Sequence, residues 1–253
     1  MSLPRCALVG LGALLLVSCA PGPAASPATS VSAAQTAPPA TAPAVTPASA
    51  GRPAPPELPT QLPGVGPQLL ADVPAGTRQA LVVTGDGADL STGRATLYRD
   101  DGSGWLAGPT WPTRNGNRGW SADHRLGDLR SPVGVFTLTA AGGRLPDPGS
   151  RLPYDHDGGF TVSGTGFEGE PLAGSFDYVV AIDYNRVPGS TPLDPRRPNG
   201  SGRGGGIWLH VDHGGPTHGC VGLRVDDMRE LLRALDPALH PVVVMGDAAA
   251  LAR

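Results

Sequence analysis

Short runs of apolar and β-branched residues recur along the last two-thirds of the chain, each bounded by glycine, proline, aspartate or asparagine. Runs of this length between turn-forming residues are typical of β-strands. They predict six strands, at residues 79–84, 94–99, 134–139, 178–183, 207–211 and 241–245. Because helices do not alternate with these runs, the pattern favours an all-β sandwich or barrel. The predicted fold class is therefore mainly β.

One segment has the periodicity of an amphipathic helix. Met228, Leu231, Leu232 and Leu235 recur at i, i+3, i+4 and i+7, which places them on one helical face. Two aspartates just before Met228 suit the positive N-terminal end of a helix. We predict one short helix here that packs its apolar face on the sheet and ends before Pro237.

The N-terminal residues have the pattern of an export signal. Arg5 is followed by the apolar run 7–17, which is too short to span a bilayer. The string Leu16-Val17-Ser18-Cys19 resembles the lipobox at which bacterial lipoproteins are cleaved and lipidated. We therefore expect residues 1–18 to be a signal peptide and Cys19 to carry a lipid anchor in the cell membrane, outside the cytoplasm.

The next residues differ sharply in composition from the rest of the chain. Residues 19–66 are rich in Ala, Pro, Thr and Ser, and such a segment buries too little apolar surface to offset the entropy of ordering. We predict a disordered tether over 19–66 and one folded domain over 67–253. The chain has 19 basic and 22 acidic residues, so it lacks the excess of positive charge that is typical of nucleic-acid-binding proteins.

Of the three cysteines, Cys220 is the candidate for a reactive thiol. Cys6 lies in the export signal and Cys19 in the lipobox, so no intrachain disulfide is expected. An unpaired thiol in an exported domain favours a nucleophile, and the alternative is a buried, inert cysteine. A free thiol is mostly protonated at neutral pH and needs a base. His210, which shares a strand face with Trp208, is the candidate base.

The residue before the cysteine suggests how a reacting carbonyl would be held. Gly219 has no side chain, so a substrate carbonyl can approach the backbone there. The N–H groups around Gly219 and Cys220 are candidates for an oxyanion hole.

Thr217-His218-Gly219-Cys220, with a histidine on the preceding strand, is similar to the signature of the L,D-transpeptidase (YkuD-like) catalytic domain. The segment 127–136, which contains Ser131-Pro132-Val133-Gly134, resembles the strand entry of that family. The resemblance covers roughly residues 78–246. It implies that Cys220 is the nucleophile, that His210 is the base, and that a backbone carbonyl such as that of Val211 orients the imidazole.

Two features depart from the family pattern. The spacing from His210 to Cys220 is ten residues, shorter than in many members, and Gly222 stands where the commonest versions carry Arg or Asn. Arg224 is the candidate replacement for that missing side chain. We take four residues as candidates for the substrate cleft: Thr217, His218, Arg224 and Trp208.

The resemblance implies a peptidoglycan L,D-transpeptidase that forms a cysteine thioester and cross-links stem peptides at the third residue. It implies no metal or organic cofactor, and its partners are donor and acceptor stem peptides. We expect a monomer whose lipid anchor lets it reach into the bacterial cell wall. Two alternatives stay open: an L,D-carboxypeptidase, in which water replaces the acceptor, and a non-catalytic wall-binding module with a degenerate site. A sortase fits less well, because its Thr-Leu-x-Thr-Cys motif is absent.

A zinc site is the remaining alternative. His210, His213, His218 and Cys220 are possible ligands, but no zinc-binding spacing is present, and His210 and His213 have opposite strand parity. The other histidines, at positions 124, 156 and 240, are expected in loops or at the surface.

Overall fold

The computed structural model describes residues 60–253. Its strands are β1 (Gln79–Gly85), β2 (Thr92–Asp100), β3 (Trp105–Arg114), β4 (Trp120–Ser121), β5 (Ser131–Pro132), β6 (Gly134–Thr137), β7 (Ala141–Gly143), β8 (Tyr154–His156), β9 (Val179–Ala181), β10 (Trp208–Val211), β11 (Val221–Leu223) and β12 (Val242–Asp247). Its helices are α1 (Pro67–Leu70), α2 (Val225–Ala234) and α3 (Ala248–Leu251), with 3₁₀ turns at Ser201–Arg203 and Pro237–Leu239. The mainly β prediction is confirmed. The predicted signal peptide, Cys19 and the tether as far as residue 59 lie outside the described residues.

Ten of the strands form one large mixed sheet, in the order β6-β12-β1-β2-β3-β11-β10-β9-β7-β8, and β4 pairs with β5 in a second sheet. Most neighbours in the large sheet are antiparallel. The parallel pairs are β1 with β12, β10 with β11, and β7 with β8. The β10–β11 pair is the one that positions the candidate site.

Strands β1 and β12 are buried on both faces of the sheet. Leu81 and Val83 pack into the core beneath α2, while Ala80 and Val82 pack into a second cluster on the opposite face. This double burial explains why both strands have continuous apolar sequences without polar alternation.

The second cluster also contains Leu62 and Val65, and both side chains are buried. Packed structure therefore begins ahead of residue 67, the boundary we placed between tether and domain. Leu62 and Val65 join the core although they lie in a segment that also contains proline and glycine.

The predicted helix after Cys220 is confirmed as α2. Met228, Leu231, Leu232 and Leu235 are all fully buried, as the periodicity required. The backbone turns extended at Leu235, and Pro237 follows in the 3₁₀ turn. Within residues 60–253, no helix is long and apolar enough to cross a membrane.

Candidate functional site

The parallel pair β10–β11 brings His210 and Cys220 to one place. His210 lies on β10, and Cys220 immediately precedes β11, with His210 directly opposite Gly222 in the ladder. Residues 212–220 make the whole connection between the two strands. Both side chains consequently line one cavity of about 110 Å³.

The imidazole of His210 is buried and held in a defined tautomer. Its Nδ1 lies 2.9 Å from the carbonyl oxygen of Val211. Because a carbonyl only accepts hydrogen bonds, Nδ1 carries the proton and Nε2 keeps a free lone pair. This hydrogen bond is the one that the family resemblance implied.

Three contacts surround the His210 ring. Besides the Val211 carbonyl, the Phe176 ring meets it edge-on at 5.6 Å, and the His213 ring stacks on it at 5.8 Å. Burial lowers the pKa of His210 to about 4, with the His213 ring adding to this and the Val211 carbonyl opposing it. The side chain is therefore a neutral base at ordinary pH.

Cys220 is partly exposed and is hydrogen-bonded to the backbone. Its Sγ accepts the N–H of Trp208 at 3.4 Å, and the thiol donates to the carbonyl of Gly206 at 3.6 Å. Burial raises the pKa of Cys220 to about 11, although the Trp208 N–H acts in the opposite direction. The resting pair is thus a neutral thiol and a neutral imidazole.

The predicted oxyanion donors are organised by Thr217. The hydroxyl of this buried threonine donates to the carbonyl of Cys220 at 2.6 Å and accepts the N–H of Gly219 at 3.1 Å. The Gly219 N–H is therefore already hydrogen-bonded, so the two predicted oxyanion donors are not equivalent.

Gly219 occupies a position that other residues do not tolerate. Its φ is +145°, and a Cβ added there would lie 2.9 Å from the carbonyl oxygen of Arg130. The glycine before Cys220 is therefore required by backbone conformation and by the close approach of the loop that precedes β5.

A second cavity of about 230 Å³ also borders Cys220. His218, Gly219 and Cys220 line it together with the glycine run 204–206 and His124. Cys220 and His218 line both cavities.

His124 lies in a loop, as expected, but not at the surface. Its side chain is buried, and Nδ1 lies 2.9 Å from the Asp128 carboxylate. The aspartate four residues later was the available sequence signal, since a carboxylate is a common partner for a buried histidine. His156 and His240 are exposed, as expected.

The four cleft candidates differ in position. Thr217 and His218 line the first cavity, and the His218 ring packs on Phe167 at 4.6 Å. Trp208 packs against two phenylalanines and lines neither cavity. Arg224 is exposed at the N-cap of α2 and also lies outside both cavities.

At Gly222, where the sequence departs from the family pattern, Asp212 lies close to the backbone. A Cβ at this position would lie 3.3 Å from the Cα of Asp212 and 3.5 Å from its side chain. Asp212 therefore occupies the space beside the strand where the commonest family members carry a longer side chain at position 222.

The strand-parity argument about His213 was wrong. Strand β10 ends at Val211, so alternation does not extend to His213, whose ring stacks nearly parallel to that of His210 at an interplanar angle of 10°. Its Nδ1 binds the Glu170 carboxylate at 3.0 Å, a contact between residues 43 positions apart. Local sequence held no signal for Glu170.

For the zinc interpretation, the described part of the chain offers no suitable ligand set. Within residues 60–253, no group of three or more His, Cys, Asp or Glu side chains is arranged to hold a metal ion. His213 is instead paired with Glu170.

The segment 131–134 contacts the backbone at Cys220 through Ser131. The segment resembles the strand entry of the family, and Ser131 begins β5 while Gly134 begins β6. The Ser131 hydroxyl accepts the N–H of Gly116 at 2.9 Å and donates to the Cys220 carbonyl at 3.4 Å.

Comparison with known proteins adds a family. The model of the YkuD family, described as the L,D-transpeptidase catalytic domain, matches residues 80–244. No curated protein matches the chain. The solved structure of Bdellovibrio bacteriovorus Bd1075 is similar at 17% identity, covering 68% of this chain and 48% of that one, with a TM-score of 0.36. The chain thus spans about half the length of that structure.

Proposed function

Because the chain belongs to the YkuD family of L,D-transpeptidase catalytic domains, which act on peptidoglycan, we propose that Cys220 is its nucleophile and His210 its base. The product is a cross-link between the third residues of two stem peptides. One observation carries this proposal: His210 and Cys220 line the same cavity, and the Val211 carbonyl leaves Nε2 of His210 free to accept a proton.

In the first half-reaction, the Cys220 sulfur attacks the carbonyl carbon of the third stem residue while its proton passes to Nε2 of His210. The N–H of Cys220 serves as an oxyanion donor, with the loop held by Thr217. The carbon–nitrogen bond then breaks, and His210 returns the proton to the departing amine of the terminal D-amino acid. A thioester on Cys220 remains.

In the second half-reaction, the side-chain amine of another stem's diamino acid attacks the thioester carbonyl. His210 accepts the amine proton and delivers it to the departing Cys220 sulfur, which restores the thiol. The two cavities beside Cys220 give the donor and acceptor separate approaches to one sulfur.

The alternatives use the same site differently. In an L,D-carboxypeptidase, water resolves the thioester and the product is a trimmed stem. A non-catalytic wall-binding module would bind stem peptides without forming a thioester.

We further propose that the protein is anchored to the outer face of the cell membrane by lipid on Cys19 and reaches into the cell wall through its tether. This rests on the string Leu16-Val17-Ser18-Cys19 and on the composition of residues 19–66. Bacterial lipoproteins carry more than one acyl chain, and anchors of two or more chains are durable.

The test is to incubate the full chain with defined tetrapeptide stems and follow the products by mass spectrometry. Release of the terminal D-amino acid with peptide dimers supports transpeptidation, whereas release without dimers supports carboxypeptidation. Binding of the stem peptides without release of the terminal D-amino acid would support the non-catalytic wall-binding module.

A further inference from the structure

Glu170 and His213 form a nearly buried pair directly behind His210. The Nδ1–H of His213 donates to the Glu170 carboxylate at 3.0 Å, and the two side chains are 6% and 12% exposed. The His213 ring in turn lies nearly parallel to the His210 ring, with 5.8 Å between the ring centroids. A carboxylate is thus connected to the proposed base through one intervening ring.

Glu170 is rigidly held by its own loop. The loop folds back on itself through the bridge Thr165–Pro171, and the N–H of Gly166 donates to the Glu170 carbonyl at 2.8 Å. The second carboxylate oxygen accepts the N–H of Glu168 at 2.8 Å. A Cβ at Gly166 or at Gly215 would overlap the carboxylate, so two glycines make the room that it occupies.

The charge on Glu170 is maintained by these contacts. Partial burial alone would raise the pKa of this carboxyl, but the backbone N–H groups of Glu170 and Glu168, together with His213, bring it below its ordinary value. An ionised carboxylate only accepts hydrogen bonds, so it holds the His213 ring with Nδ1–H directed at it.

Glu170 does not line the cavity shared by His210 and Cys220, whereas His213 does. Among the described residues, the bond to Glu170 is the side-chain hydrogen bond that His213 makes. The face of the His210 ring is therefore supported by a residue whose orientation depends on Glu170.

We propose that Glu170 is a positioning residue for His210 and acts through His213. The inference rests on the proposed function, since it takes His210 as the base for Cys220. A general base works only within hydrogen-bond reach of the proton it removes, and small misplacements of reacting groups lower rates steeply. Glu170 holds the orientation of the His213 ring, and the His213 ring holds the orientation of His210.

The experiment measures the rate constant for alkylation of Cys220 by iodoacetamide in the purified full chain, with the modified cysteine assigned by peptide mapping. Iodoacetamide is small and neutral, so the result does not depend on the identity of the stem peptide. The variants are Glu170→Ala, Glu170→Gln, His213→Ala, the double variant Glu170→Ala with His213→Ala, and His210→Ala. Glu168→Gln is the matched control, because it makes the same chemical change in the same loop without touching His213.

We expect Glu170→Ala to lower the rate constant about tenfold, which corresponds to a coupling typical of residues in contact. Glu170→Gln should lose less, because its amide oxygen still accepts from His213. Glu168→Gln should match the unaltered protein. His213→Ala combined with Glu170→Ala should be no slower than the slower single variant, since both changes remove one support. With stem peptides, kcat should fall while KM stays the same.

A merely structural role would reduce the fraction of reactive protein but leave the rate constant of the folded fraction unchanged. That result in Glu170→Ala, with His210→Ala slow, would overturn the inference and leave the proposed function standing. If His210→Ala itself reacts at the unaltered rate, the proposed function fails and the inference fails with it.

Discussion

The hydroxyl of Thr217 donates a 2.6 Å hydrogen bond to the carbonyl of Cys220, three residues along the chain. The same oxygen accepts the N–H of Gly219 at 3.1 Å. One buried side chain thus closes the turn on which the proposed nucleophile is mounted. The threonine of the family-like motif has a structural reason to be there.

Thr217→Val should therefore impair the site. Valine keeps the shape of threonine, but it leaves the buried N–H of Gly219 unpaired and leaves the Cys220 carbonyl with only the 3.4 Å bond from Ser131. We expect a loss of about 1–3 kcal/mol in the free energy of unfolding for the unpaired N–H. The rate of acyl transfer should fall about tenfold to a hundredfold as the turn shifts. Chemical denaturation and stem-peptide turnover measure the two effects. Thr217→Ser keeps the hydroxyl, and equal losses in Ser and Val variants would contradict this role.

The second prediction concerns pH. Burial raises the pKa of Cys220 to about 11 and lowers that of His210 to about 4. The imidazole is neutral above its lowered pKa, and the thiol is protonated below its raised one, so no thiolate–imidazolium pair exists near neutral pH. Alkylation of Cys220 should keep accelerating as pH rises from about 7 to about 10.

Iodoacetamide rate constants across that range provide the measurement. A plateau with a midpoint below about pH 7 would mean a preformed thiolate, as in cysteine enzymes with strongly lowered thiol pKa values. That outcome would contradict the neutral-pair description of the resting site.

Sequence was most informative where the apolar pattern is local. The continuous runs of β1 and β12 and the i, i+3, i+4, i+7 face of α2 correspond to buried elements. The motif around Cys220 was also readable, because its residues are neighbours along the chain. These features need no knowledge of distant contacts.

Strand β3 was missed because Pro109 and Pro112 lie inside it. Proline argues against a central strand, since it cannot donate to the ladder. Pro109 falls at the register shift opposite Thr96–Tyr98. On its other side, among the described residues, β3 pairs with β11 only through Arg114. Local irregularity and a mostly unpaired edge accommodate both prolines.

The partners of the site histidines were missed for a different reason. Glu170 meets His213 across 43 residues, and His124 reaches the second cavity only because the loop before β5 folds beside Gly219. Tertiary packing decides such contacts, and neither composition nor spacing encodes them locally.

The third prediction tests the buried ion pair Asp183–Arg186, in which both side chains are 2% exposed. Asp183 also accepts from the hydroxyls of Thr137 and Thr139. Asp183→Asn should lower the free energy of unfolding by about 3–5 kcal/mol, because it leaves a buried arginine without its counter-charge.

Denaturant unfolding measures this loss. The control is Asp123→Asn, which removes an exposed partner of Arg125 and should cost less than about 1 kcal/mol. Similar losses in the two variants would show that burial of the Asp183–Arg186 pair does not increase its contribution to the free energy of unfolding.

The fourth prediction concerns Cys19. Cys19→Ala should abolish lipid attachment and leave the precursor unprocessed or released, because the proposed modification site is gone. Labelling of cells with radioactive palmitate, followed by membrane fractionation, measures both effects. Cys6→Ala, which alters the export signal only, should keep its label. Label that persists in Cys19→Ala would refute the lipobox assignment.

The thioester mechanism at Cys220 is tested by the intact mass of the full chain during turnover of a tetrapeptide stem. We predict a covalent adduct equal to the stem peptide lacking its terminal D-amino acid, mapped to Cys220 and absent from Cys220→Ala, with the variant still folded. An adduct that persists in Cys220→Ala, or release of the terminal D-amino acid by that variant at the unaltered rate, would contradict a thioester mechanism at Cys220.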